Sequence, residues 1–307
     1  VYAGIGFGAP FGLVTEYDNP WLGGAQALKF DIKTYNINPS IALRATERVS
    51  IGAGISIQRM EVEYSRLAAV VSPALATTKA TLSAGDTSWG WNVGALFTLS
   101  PSTKVGVSYR SKIRHTLEGD LSVRGPAQGA SAALTSGSAK AFVELPDTFI
   151  LSVAQQLNDK WEMLGDVSWT GWSSIDKVDI VRTSGSLSGR TVQTLDTAFR
   201  DSWRYALGAN YRFSDTLKLK FGVAYDQTSV PDTAHRLVSL PDANRTWLTT
   251  GAQIKLDKAS TVDLGAAYIQ VSESHIDNRQ ASLGRGDVKG VYDARVWILG
   301  AQYSMAF

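Results

Sequence analysis

The chain has 307 residues, 44% of them hydrophobic and 19% charged, with 30 Lys and Arg against 28 Asp and Glu and no cysteine. Near-neutrality argues against a general nucleic-acid binder, and the lack of cysteine excludes disulfide scaffolds, thiolate metal sites and cysteine nucleophiles. The longest apolar run, Leu67-Ala68-Ala69-Val70-Val71, falls far short of the roughly 18 residues that a membrane-spanning helix needs. The first residues also lack the basic segment and apolar core of a signal peptide, so the chain is expected to begin after any processing or to be a piece of something longer.

The chain opens on VYAGIGFGAPFG, which alternates like a β-strand until Ala9-Pro10. Proline has no N–H for a ladder and belongs at strand edges, ends or bulges. Pro10 therefore either ends this strand before a loop or kinks it. Period-two alternation predicts further strands, giving twelve in all, over 1–11, 28–45, 48–65, 87–99, 103–119, 140–156, 160–172, 200–213, 216–228, 244–256, 260–272 and 290–307. KVGVSYRSKIR sets Val105, Val107, Tyr109 and Ile113 against Lys104, Arg110, Lys112 and Arg114. TLKLKFGVAYD sets Leu217, Leu219, Phe221, Val223 and Tyr225 against Lys218, Lys220 and Asp226.

Such alternation fits a soluble sandwich and a membrane barrel equally. The connections separate them. Tight turns at Thr46-Glu47, Pro101-Ser102, Asn158-Asp159, Ser214-Asp215 and Asp257-Lys258 alternate with long links around 12–27, 66–86, 120–139, 173–199, 229–243 and 273–289. Short turns at one end and long loops at the other are the asymmetry of outer-membrane barrels. Trp161 and Trp169 stand at opposite ends of one strand, as paired interfacial girdles require. The last strand carries Trp297, Leu299, Ala301, Tyr303, Met305 and Phe307 on one face. The fold class read here is all-β, a transmembrane antiparallel β-barrel forming a single domain over 1–307.

Among the long links, RLAAVVSPALATTKATL is unusually apolar. Leu67, Val70, Val71 and Leu75 make a first landing site for a hydrophobic molecule, or pack the loop onto the barrel mouth, or both. The only histidines are His115, His235 and His275, and no Gly-x-Ser-x-Gly element occurs. No spacing favours an active site, a cofactor or a metal, and the reading is that of a non-enzyme.

APFGLVTEYDNPWLGG, followed by IKTYNINPSIALRATERVSIGAGISIQ, resembles the FadL family of outer-membrane transporters for long-chain fatty acids and other hydrophobic molecules, and FRDSWRYALGANYRF, FGVAYDQTSVPD and VSLPDANRTWLTTGAQIKL keep that family's order and spacing. The resemblance implies a fourteen-stranded barrel with a small N-terminal hatch bearing an Asn-Pro-Ala element. Neither hatch nor element occurs in these residues, which correspond to the family from its third strand onward. It also implies that Ala9-Pro10-Phe11-Gly12 is an inward kink through which substrate leaves sideways, and that the apolar loop is partly helical and forms a low-affinity groove. Arg66 and Arg200 fall where the family places basic residues around a high-affinity pocket, with Asp226 as a buttress; each arginine could equally be a solvated partner of Glu63 or Asp201.

What the resemblance implies in function is passive uptake of long-chain fatty acids across the outer membrane of a Gram-negative bacterium, with monoaromatic hydrocarbons as the alternative cargo. A general aqueous porin is the alternative of another class. The expected partners are the hydrophobic molecule, outer-membrane lipid and lipopolysaccharide, with the protein a monomer and no nucleic acid involved.

Overall fold

In a computed structural model of the chain, which describes residues 1–306, seventeen strand segments form one antiparallel sheet and two more a separate hairpin. Phe307, expected on the apolar face of the last strand, lies outside the described residues. The segments join into twelve wall strands, five of them broken once. The first is β1 (Tyr2–Gly8) with β2 (Gly12–Glu16), followed by β3 (Lys29–Arg44), β4 (Val49–Leu67) and β5 (Lys79–Ser100). Four broken strands come next: β6 (Thr103–Arg110) with β7 (Ile113–Arg124), β8 (Gly137–Leu145) with β9 (Thr148–Gln156), β10 (Trp161–Thr170) with β11 (Lys177–Arg182), and β12 (Thr191–Asp196) with β13 (Ser202–Arg212). β14 (Leu217–Asp226), β15 (Arg245–Lys255) and β16 (Ser260–Val271) are continuous. A hairpin of β17 (Ser274–Arg279) and β18 (Asp287–Tyr292) precedes the last wall strand, β19 (Arg295–Met305).

Each wall strand pairs antiparallel with its neighbour in sequence. β1–β2 forms one edge of the sheet and β19 the other, and among the described residues these edges do not pair. The first strand is broken by a bulge. Gly8 lies opposite Asn36 and Gly12 opposite Lys33, so Ala9, Pro10 and Phe11 face only Thr34 and Tyr35. The lost register is bridged by Thr34, whose Oγ1 accepts from the Phe11 N–H at 3.0 Å and donates to the Phe11 carbonyl at 2.5 Å.

In the lower part of the wall, apolar side chains point out. Leu207, Phe221, Leu248, Leu264 and Leu299 are exposed on one continuous face, as lipid contact requires. Aromatic side chains edge this band. Trp91 packs on Tyr109, Trp169 lies opposite Trp203, and Tyr268 packs on Trp297, all toward the long loops, while Trp161 packs on Tyr211 at 4.7 Å near the tight turns. From Trp161 to Trp169 the strand climbs about 26 Å. Tilted as barrel strands are, it spans roughly 20 Å, close to the thickness of an outer-membrane apolar band.

Above the upper aromatic belt the apolar face changes sides. On β4, Ile51, Ile55 and Ile57 are exposed outside with Ser56 and Gln58 buried inside, but immediately beyond them Arg59, Glu61 and Glu63 lie outside while Met60 and Tyr64 are buried within. β3 inverts at the same height, from Asn36 inside and Tyr35 outside to Phe30 inside and Lys33 outside. The cause is the solvent: below the belt the wall meets lipid, above it water, and apolar side chains turn inward once the wall leaves the bilayer.

This outer collar corrects the strand limits read from sequence. Strands run on through stretches assigned to long links, at Lys79–Gly85, Lys177–Arg182 and Thr191–Asp196, and the last wall strand begins at Arg295 rather than near 290. The break between Arg110 and Ile113 also shifts the side-chain phase, so Ile113 and His115 are buried inside while Arg114 is outside, paired with Glu144. The alternation that put Ile113 on one face with Val105, Val107 and Tyr109, and Arg114 on the other with Lys104 and Arg110, fails for that reason, since a one-residue shift exchanges the two faces.

Candidate functional site

The inward apolar faces of the collar enclose a chamber that opens into a cavity of about 1120 Å³. Ligand pockets for small organic molecules run from about 300 to 1,000 Å³, so there is room for an extended chain. Its upper walls are Phe30, Ile32, Val62, Tyr64, Leu82 and Ala141, with Ile180 and Leu195 across from them. Phe11 enters from the bulged strand and packs with Met60, Leu117 and Leu145. Its ring sits edge-on to Trp172 at 6.0 Å, and Trp172 edge-on to Phe199 at 6.1 Å. The bulge therefore borders the chamber directly: Pro10, Phe11 and Gly12 all line it.

The chamber has a lid and a floor. The segment between β14 and β15 folds over the mouth, burying Leu237 and Val238 against the collar core. The Tyr17 hydroxyl donates to the Val238 carbonyl at 2.7 Å and shares a 2.9 Å bond with Tyr292; burial pushes the pKa of Tyr17 upward, keeping it protonated. Arg236 donates to the carbonyls of Asp242 and His275. At the level of the belt His115 is buried, Nδ1 at 2.9 Å from Asp86 and Nε2 at 3.2 Å from Gln58. Below it the lumen is charged and cross-linked: Lys220 donates to Asp263 at 2.5 Å, Gln253 bonds the same carboxylate at 3.1 Å, and Asn210 donates to Glu162 at 2.7 Å.

Of the residues singled out from sequence, Asp226 lines the cavity, where Arg245 approaches it at 3.5 Å and also pairs with Asp242. Arg66 and Arg200 do not line it. Arg66 lies near the end of β4, beyond Tyr64, its guanidinium donating to the carbonyls of Leu67 at 2.9 Å and Ala68 at 3.0 Å; Glu63 instead pairs with Lys29 at 3.3 Å. Arg200 is exposed, and Asp201 accepts from the Ser173 N–H at 3.0 Å. A residue missed in sequence stands beside Arg66. Burial first, and the Arg66 charge second, bring the Arg285 guanidinium down to about 10. Among the described residues neither guanidinium has a carboxylate within 4 Å, and Arg285 donates to Gln280 at 3.2 Å.

The apolar loop behaves in two ways. Leu67 is buried with Ala25 and Leu28, whereas Val70 and Val71 are exposed. Leu75 sits in a single helical turn, α1 (Pro73–Ala76), with its N–H bonded to the Ser72 hydroxyl. Val70 donates to the carbonyl of Gly284 at 2.8 Å, a residue held at φ +71°. This loop thus abuts the segment that carries Arg285.

Comparison with known proteins agrees with this architecture. Residues 2–307 match the family described as outer membrane protein transport protein (OMPP1/FadL/TodX). A long-chain fatty acid transport protein of Salmonella typhi is 26% identical over 322 residues, covering 97% of this chain and 71% of that protein. The 47 kDa outer membrane protein of Pasteurella multocida is 29% identical over 291 residues, covering 87% and 66%. Among solved structures, a Pseudomonas aeruginosa FadL homologue superposes with TM-score 0.91 at 23% identity, covering 99% of this chain and 74% of that one. The Pseudomonas putida toluene transporter TodX superposes with TM-score 0.71 at 15% identity, covering 99% and 78%. The chain is an outer-membrane β-barrel transporter of hydrophobic compounds and belongs to the OMPP1/FadL/TodX family.

Proposed function

We propose that this protein carries long-chain fatty acids passively across the outer membrane, taking them up at the apolar loop and releasing them sideways at the bulge in the first strand. One observation carries the reading: an apolar chamber stands on a charged floor, and the bulge at 9–11, where the strand ladder is interrupted, borders it. An alkyl chain gains about 0.8 kcal/mol per buried methylene, on the order of 10 kcal/mol for sixteen carbons. Moving that chain past Lys220, Asp263 and Glu162 forfeits this gain and strips water from paired charges. A sideways step into lipid forfeits neither.

Val70 and Val71 offer the first apolar contact, and the neighbouring Arg66 and Arg285 supply a carboxylate clamp between loop and chamber. Two half-buried like charges without a carboxylate are poised for an anion, and charge-assisted bonds away from bulk water contribute roughly 1.5 to 3 kcal/mol.

The test is uptake in cells that lack their own carrier and express the full-length protein. Labelled hexadecanoate is expected to enter saturably and far faster than in control cells, with toluene no faster than control. Saturable uptake of toluene but not of hexadecanoate would move the assignment to monoaromatic hydrocarbons. Stepwise ion conductance in planar bilayers without saturable uptake of either would make it an aqueous porin.

A further inference from the structure

We infer that Arg204, which lines the chamber, and the indole N–H of Trp247, over whose ring its guanidinium stacks, form a second carboxylate station. The inference deepens the fatty-acid reading and rests on it. Four charged side chains meet at this end of the cavity: Arg204, Asp226, Asp242 and Arg245 all line it. Arg245 takes both carboxylates, Asp226 at 3.5 Å and Asp242 in closer contact, while the second oxygen of Asp242 accepts from the Thr228 hydroxyl at 2.6 Å. Arg204 lies directly opposite Asp226 in the β13–β14 ladder, yet among the described residues no carboxylate comes within 4 Å of it. Its guanidinium stacks instead over the Trp247 ring, 5.7 Å from the centroid.

Trp247 supplies the independent observation. Its Nε1 is buried and has no hydrogen-bond partner. An unmet buried donor is destabilising, and this one stands beside the one arginine of the four-charge cluster that is not ion-paired. Both groups are donors and both face inward: Arg245 and Trp247 share a face of β15, opposite the exposed Thr246 and Leu248. One carboxylate accepting from both satisfies the indole and the guanidinium together, with cation–π stacking holding the guanidinium in place. The tail of such a ligand then lies along Phe199 and Trp172 toward Phe11. The head is thereby anchored at Arg204 while the tail reaches toward Phe11 of the bulged strand.

The test uses full-length protein in nanodiscs and two probes of equal length, hexadecanoate and hexadecanol. R204Q is expected to lose about tenfold in affinity for the acid and little for the alcohol, and W247F a smaller factor for the acid alone. R204K should recover part of the loss, because it keeps the charge without the fork. In protein carrying 5-fluorotryptophan, the resonance that W247F deletes should shift on adding hexadecanoate and stay in place with hexadecanol. If R204Q binds the acid like wild type, or loses acid and alcohol equally, the station does not exist, while alcohol binding by the wild type leaves the apolar chamber standing. Wild-type protein that binds neither probe would remove both readings. Heat-modifiable migration on gels, retained by each variant, identifies the folded barrel.

Discussion

Deleting Pro10 is expected to stop uptake of hexadecanoate while leaving its binding nearly unchanged. The bulge places Ala9, Pro10 and Phe11 against Thr34 and Tyr35, so one residue is in excess. Removing it lets the first strand pair without interruption from Tyr2 to Glu16, adds the missing donor and seals the wall beside the chamber. The milder change, Pro10→Val with Gly12→Thr, restores the donor and strand preference. It is sterically admissible, since a Cβ on Gly12 would lie 3.7 Å from the Ile32 carbonyl, but it leaves three residues facing two. Its effect on uptake should therefore be weaker than that of the deletion. Uptake of labelled hexadecanoate beside equilibrium binding to purified protein measures the split. Normal uptake by a deletion variant whose crystal structure shows a continuous strand would mean that substrate does not leave through this wall.

Arg285→Met is expected to stabilise the empty outer loops and to weaken binding of the acid. Arg285 titrates near 10, below the ordinary arginine value of 12.5, because it is buried and close to Arg66. A cation whose pKa is lowered on folding carries its cost wherever it is charged in both states, below about 10. That cost is relieved as pH rises from about 10 toward 12.5, where the unfolded segment binds more protons than the folded one. At neutral pH the whole cost is present, and discounted for solvent screening it is on the order of 1 kcal/mol. Methionine keeps the length of the side chain and removes the charge. Slower hydrogen exchange across residues 280–292 without ligand, together with a loss of hexadecanoate affinity but not of hexadecanol affinity, is the expected pair of results. Faster exchange would show that the charge supports the loop, and unchanged acid binding would release Arg285 from the clamp.

The barrel was legible because its constraints are local. Turn residues such as Asn158-Asp159 and Asp257-Lys258 stand where the tight links are, and alternation in Leu217–Asp226 sorts lipid from lumen residue by residue. The collar was not, because β11 and β12 are short strands inside long links and their pattern belongs to the interior of a wall surrounded by water. One signal was present: in ISIQRMEVEY the apolar positions pass from Ile55 and Ile57 to Met60, Val62 and Tyr64, an exchange of faces within an unbroken strand. Arg204 escaped notice because its isolation becomes visible only when Arg245, on the second strand after its own, is seen to hold both carboxylates. Arg285 was hidden for the same reason, since its neighbour Arg66 lies on a distant strand.

On the proposed route, substrate occupies the upper chamber and turns outward at the bulge instead of descending the lumen. Photolysis of full-length protein in outer membranes loaded with a hexadecanoic acid bearing a diazirine at its tail tests this directly, with adducts located by mass spectrometry. Adducts concentrated on Pro10, Phe11 and Trp172 are predicted. Adducts on Lys220, Gln253 and Asp263 in place of these would show that the acid passes straight through the charged floor, and would contradict the account.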